Sequence, residues 1–181
     1  GTGLTEFSRL FKERFFDVGI AEEHAIAFIS GIAKNGGKPI LGVMSSFVQR
    51  TYDQLSQDLA LNNNPATILV FWGAITGMDA THLTIFDIPL ISNIPNMVYL
   101  APTCKEEYVK MLDWSVEQKD RPVAIRVPFG EVHSSGVEDK TDYSILNKYQ
   151  VAESGSEVAI LGLGNFFHLG KKVKALLNEK L

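Results

Sequence analysis

Cysteine occurs once in the 181 residues, at position 104. An internal disulfide and a cysteine metal cluster are thereby excluded, and a reducing cytoplasm is the expected compartment. No run of eighteen or more apolar residues occurs, so no membrane-spanning helix is expected. The opening stretch GTGLTEF lacks the charged, apolar and cleavage regions of a secretory signal. It also lacks an initial methionine, which points to a piece of a longer protein. No basic cluster is interleaved with aromatics and the net charge is −4, so no nucleic-acid partner is expected. A phosphate loop of the GxxxxGK type, an HExxH pair and a nucleophile elbow are all missing. The GLGN at 162–165 lacks full dinucleotide spacing and reads as a strand–helix turn.

What remains is a globular composition, 45% hydrophobic and 21% charged, enough for one domain or one domain plus a fragment. Five short apolar runs stand out: KPILGVM (38–44), ATILVFW (66–72), MVYLAP (97–102), PVAIRVP (122–128) and EVAILGLG (157–164). Nearly continuous apolar runs of this length read as strands buried on both faces. Between them the spacing predicts helices at about 21–35, 47–62, 104–118 and 166–179. Thr103 and Glu106, three apart, read as a capping box opening the third helix. The alternation predicts an α/β protein with a parallel sheet and helices on both faces. Ligands of such sheets sit at the carboxyl ends of the strands. That directs attention to residues 45–50, 72–82, 101–103 and 129–131. From about 133 the chain turns polar and reads as a linker, followed by one strand–helix unit that cannot bury its own apolar faces.

Several polar residues fall at those strand ends or at helix starts. In DVGIAEEHAIAF (17–28), Glu22, Glu23 and His24 open an amphipathic helix. Acids in a first turn suit the helix dipole, a purely local reason for their presence. Arg50, Asp53 and Asp58 read equally as the solvated side of a helix. Asp79 and His82 lie in the loop GAITGMDATH. Arg126 is a lone charge in an apolar run and requires a partner, for which Asp79 or Glu22 would serve.

RFFDVGIAEEHA, SSFVQRTYDQLSQD, THLTIFDIPLISNIPNMVYLAPT and PVAIRVPFG occur in this order across nearly the whole chain. Together they resemble the transketolase superfamily, in its 1-deoxy-D-xylulose-5-phosphate synthase branch. The resemblance implies a three-layer α/β/α fold with a mostly parallel central sheet, the pyrimidine module of the thiamine-diphosphate-binding fold. It implies a pyrimidine-binding domain at 1–133, a linker at 134–147 and the start of a transketolase C-terminal domain at 148–181. Glu22 matches the acid that shares a proton with the aminopyrimidine ring of thiamine diphosphate and so activates the cofactor; Glu23 would then face outward. Phe47 matches the aromatic that stacks on the pyrimidine, although a core phenylalanine would look the same. Arg50, Asp79 and His82 match residues lining the substrate side, His82 with a catalytic role. Tyr52 and Asp58 match positions read as structural. Magnesium and the diphosphate would be held by a domain or subunit absent from this chain, so no metal ligand is expected here. The implied substrates are sugar phosphates or 2-oxo acids, and the implied assembly is a homodimer.

Three departures from the branch are visible. It places arginines where this chain has Trp72 and Phe129, and a tyrosine where this chain has Met44. Guanidinium forks suit a phosphate, and aromatic rings supply no such donors. The resemblance therefore implies a two-carbon transferase with an altered acceptor-phosphate site. The alternatives are one subunit of a split transketolase and a non-catalytic paralogue acting as a binding or regulatory module.

Overall fold

The computed structural model describes residues 3–73, 82, 84–130, 132–146 and 149–180. A short helix α1 (Thr5–Leu10) and a 3-10 turn precede helix α2 (Glu22–Lys34) and strand β1 (Ile40–Met44). A 3-10 turn (Val48–Thr51) runs into α3 (Tyr52–Gln54) and a π-helical turn (Leu55–Ala60). Strand β2 (Thr67–Phe71), helix α4 (Asp87–Ser92), strand β3 (Val98–Leu100), helix α5 (Lys105–Glu117), strand β4 (Val123–Val127) and helix α6 (Phe166–Lys180) complete the order. The four strands pair in parallel in the order β1-β2-β4-β3. Among the described residues no helix is long and apolar enough to cross a membrane.

The strands are apolar on both faces because both faces are covered. Side chains alternate across a strand. Ile68 and Val70 of β2, with Val43 and Ala124, meet Ile26 and Ile29 of α2, Leu55 and Leu59 of the π turn, and Ile91 of α4. Leu69, Val123 and Ile125 point the other way, onto Met111 of α5 and Tyr143. Each fully buried isoleucine or leucine contributes about 1.5–3 kcal/mol relative to exposure. The expected α/β/α layering and the expected helices are therefore present.

Arg126 lies on the α4 side of β4, in a position where an isolated charge could not stay. It is 5% exposed. Its Nε donates to Asp87 Oδ2 at 2.8 Å and its Nη2 to the Thr84 carbonyl at 3.0 Å. Tyr99 of β3 donates its hydroxyl to the same Asp87 oxygen. Burial first, and then the adjacent carboxylate, push the Tyr99 phenol far above its usual range, so it stays a donor. The partner of Arg126 is thus Asp87 rather than Glu22, whose carboxylate is taken by Arg50. Asp79 lies outside the described residues. Gly73 makes the arrangement possible: a Cβ there would lie 2.3 Å from Arg126 Cγ. Helix α4, not foreseen in the sequence, tolerates Pro89 because a first-turn amide has no intrahelical partner to lose.

Two further expectations are corrected. The strand expected at 157–164 does not form; this stretch pairs with no strand of the sheet, and Val158 and Leu161 are exposed. A strand needs a neighbour to satisfy its N–H and C=O groups, and here it has none. The capping box at Thr103 and Glu106 is also replaced. Helix α5 begins at Lys105, so the carboxylate that reaches back to the Thr103 amide, at 2.7 Å, is Glu107. Glu106 instead grips the following segment. It accepts from the Ser134 hydroxyl, the Ser135 amide and hydroxyl, and the Gly136 amide. Residues 134–146, expected as a linker, are pinned there and by Tyr143, which packs with Met111 and Val123 and has its ring centre 6.4 Å from that of Trp114.

Removing one partner of the buried pair leaves the other charge uncompensated. Asp87→Ala should cost about 3–5 kcal/mol in urea unfolding, and Asp87→Leu with Arg126→Met should recover most of it. A loss below 1 kcal/mol would show that the pair does not hold the fold. At Glu106, the Ser134 hydroxyl and the Ser135 amide draw the carboxyl far below the usual carboxylate range. A depressed folded value means the grip is fully present above the unfolded value of about 4.3 and is lost only as pH falls toward the depressed one. The Ser135 and Gly136 amide NMR shifts should therefore stay constant from pH 7 to pH 4. An inflection near pH 4.3 would contradict the grip.

Candidate active site

The register sets one edge of the sheet. Met44, Phe71 and Val127, the last residues of β1, β2 and β4, stand abreast. The chain leaves all three strands on this side: Ser45 donates its amide to the Phe71 carbonyl and Gly73 to the Val127 carbonyl, at 2.9 and 3.0 Å. This is the carboxyl edge, where the strand ends diverge and leave room for a ligand.

Four of the five site residues expected from the sequence are described, and they form one chain of contacts at this edge. Glu22 is the first residue of α2, whose positive end favours a carboxylate. Its side chain is 11% exposed, and Oε2 accepts from Arg50 Nη1 at 3.2 Å. The Arg50 guanidinium lies over the Phe47 ring, 5.4 Å from its centre. The His82 ring meets Phe47 edge-on at 5.6 Å. Asp79, the fifth, lies outside the described residues. Glu23, one residue after Glu22, is exposed, and His24 stacks on Phe28 of the same helix. Tyr52 accepts a hydrogen bond from Asn93, and the Asp58 carbonyl accepts from Ser30 and Asn64; these are ties between elements.

The edge also contains polar atoms, two of them within the watched stretch 45–50, to which the sequence assigned no role. Among the described residues, the Ser45 and Ser46 hydroxyls and Gln54 Oε1 are buried without a hydrogen-bond partner. Buried polar atoms are nearly always satisfied, so orphans clustered in sequence around Phe47 and Arg50 fit a site completed by a ligand. Their signal was the SS dipeptide at the exit of a strand, which by itself reads only as a turn. The chemistry present is a nearly buried acid, a half-buried aromatic face, a half-exposed arginine and a histidine. That set fits a flat, nitrogen-containing ring with a polar edge: the acid can share a proton with a ring nitrogen while the aromatic face stacks.

Residues 1–133 match the family described as transketolase, pyrimidine binding domain. The chain belongs to that family. Among curated relatives, 1-deoxy-D-xylulose-5-phosphate synthase of Symbiobacterium thermophilum is 39% identical over 180 residues, 99% of this chain and 28% of that protein. The enzyme of the same name from Clostridium acetobutylicum is 41% identical over 165 residues, 91% of this chain and 26% of that protein. The chain therefore spans little more than a quarter of the length of these relatives. A solved structure titled as a split gene transketolase, inactive beta4 tetramer, superposes with a TM-score of 0.63 at 24% identity. It covers 77% of this chain and 46% of that one, and it supports the fold.

The pairing of Glu22 with Arg50 is weak enough to be exchanged for a ligand, because Arg50 is 51% exposed. A Glu22→Ala/Arg50→Ala double-mutant cycle should give a coupling of about 0.2–1 kcal/mol that shrinks at high salt. A salt-insensitive coupling above about 2 kcal/mol would mean a locked pair and an unavailable acid.

Proposed function

We propose that this domain is the pyrimidine-binding part of a thiamine-diphosphate-dependent transferase related to 1-deoxy-D-xylulose-5-phosphate synthase, with an altered acceptor site. The observation that carries the reading is the nearly buried Glu22 carboxylate set against the Phe47–Arg50 cluster at the carboxyl edge. When bound, thiamine diphosphate supplies a carbon centre that accepts and releases a two-carbon unit. Glu22 holds a proton at its carboxyl edge and exchanges it with the aminopyrimidine ring nitrogen. Its side chain, 11% exposed at the head of α2, stands beside Arg50, whose guanidinium lies over the Phe47 ring. Phe47 presents the stacking face. Arg50, His82 and Asp79 are assigned to the substrate side. Arg50 can turn from Glu22 toward a substrate oxygen, its half-exposed side chain leaving it room.

The diphosphate and its magnesium ion are assigned to a further domain or subunit, fused or separate, and the assembly to a homodimer in the cytoplasm. Residues 134–147 are assigned as the connection to a C-terminal domain beginning at 148. The reaction is transfer of a two-carbon unit from a 2-oxo acid or ketose to an aldehyde.

In the full-length protein, Glu22→Gln should preserve the fold and slow hydrogen exchange at the thiazolium carbon, followed by NMR, by about two to four orders of magnitude. Unchanged exchange would remove Glu22 from the mechanism. Circular dichroism of the same variant separates this outcome from unfolding.

A further inference from the structure

The carboxyl edge holds an aromatic pair that cofactor binding does not use. Trp72 follows β2 and Phe129 follows β4, two hydrogen-bonded neighbours. Their rings meet edge to face, with centres 5.6 Å apart and planes at 88°. Trp72 adopts φ +63°, a left-handed conformation that strains a bulky residue. Its ring is not repaid by deep burial: Trp72 is half-buried, and Phe129 is 47% exposed, followed by Gly130 at φ +86°. Met44 ends the next strand in line, abreast of Phe71. A strained backbone that holds a large aromatic ring toward solvent beside a polar site is the pattern of a ligand-facing side chain.

Charge at the edge points the same way. Of the two arginines near this edge, Arg126 is committed to the core, and Arg50 belongs to the cluster on the β1 side. Arg126 is buried against Asp87 and the Thr84 carbonyl, and Arg50 lies on Glu22 and Phe47. An anionic group beside Trp72 and Phe129 would find no positive charge on either ring to answer it.

We propose that Trp72, Phe129 and Met44 form an acceptor subsite for an uncharged aldehyde bearing an aromatic or other apolar group. This rests on the reading of the edge given under Proposed function. With a 2-oxo acid as donor, the bond to its carboxylate breaks and carbon dioxide leaves. The electron pair forms the new carbon–carbon bond to the aldehyde carbon, and the aldehyde oxygen takes up a proton, giving an α-hydroxy ketone.

The test uses the full-length protein with thiamine diphosphate and magnesium. Its first arm compares kcat/KM for benzaldehyde and glyceraldehyde 3-phosphate with pyruvate as donor. Its second arm follows binding of unreactive benzyl alcohol by saturation-transfer NMR, without turnover. The expected result is a preference for benzaldehyde of at least about 10-fold, with benzyl alcohol binding weakened about 10-fold in Phe129→Ala. Phe129→Arg, alone and with Trp72→Arg, should move the preference toward the phosphorylated aldehyde by about 10- to 100-fold per guanidinium. The single variant keeps this arm decisive where the strained position 72 rejects arginine. A preference of the unmodified enzyme for glyceraldehyde 3-phosphate would overturn the proposal. So would benzyl alcohol binding that is absent, or unchanged in Phe129→Ala, including the case where that variant alters only subunit association in sedimentation. Hydrogen exchange at the thiazolium carbon needs no acceptor, so its absence would sink the cofactor reading while the benzyl alcohol arm still decides this one.

Discussion

A single buried ion pair joins most of what matters in this fold. Arg126 sits inside the sheet's core face, where a guanidinium without a partner would cost several kcal/mol. Asp87 supplies the partner from the start of α4, Tyr99 adds a donor from the edge strand β3, and Thr84 adds a carbonyl from the loop. Three segments, at residues 84–87, 99 and 126, are thereby held in one arrangement. Gly73 is part of the same solution, since the arginine stem occupies the space its side chain would need. Such a pair contributes less to net stability than to uniqueness: an apolar replacement could be as stable, but it would not select one register for α4 and β3.

That arrangement frames the carboxyl edge. With Arg126 committed to the core, the polar groups left at the edge divide by position. On the β1 side, Glu22, Arg50, Phe47 and His82 make a polar and stacking surface, with the unpartnered Ser45 and Ser46 hydroxyls beneath it. Between β2 and β4, the surface is aromatic, Trp72 against Phe129. One edge thus carries two kinds of surface side by side, one polar and one aromatic.

Much of this was legible in the order of residues. Apolar runs too continuous for half-exposed strands required a sheet covered on both faces, and the helical spacing between them required crossovers. The motif around Glu22 and the SSFVQR segment pointed to residues that the fold brings into contact at the carboxyl edge. The lone arginine in AIRVP announced a buried partner, because an unpaired charge there is untenable. The partner's identity was not legible. Asp87 lies 39 positions away in a short helix that the spacing of apolar residues did not reveal. The strand expected at 157–164 failed for a related reason: a strand is a property of a pair, and no neighbour answers that run.

The division follows from the range of the forces. The sequence by itself determined the α/β class, the longer helices α2, α5 and α6, the strands that find neighbours and the acid at the head of α2, because periodicity, capping and dipole act within a few residues. Only the tertiary structure decided which carboxylate neutralises Arg126, which glutamate caps α5 and which holds Ser134–Gly136. It alone set Trp72 and Phe129 ring against ring. Those outcomes depend on distances across the sheet, where burial makes a charge choose whichever partner the fold brings within about 3 Å.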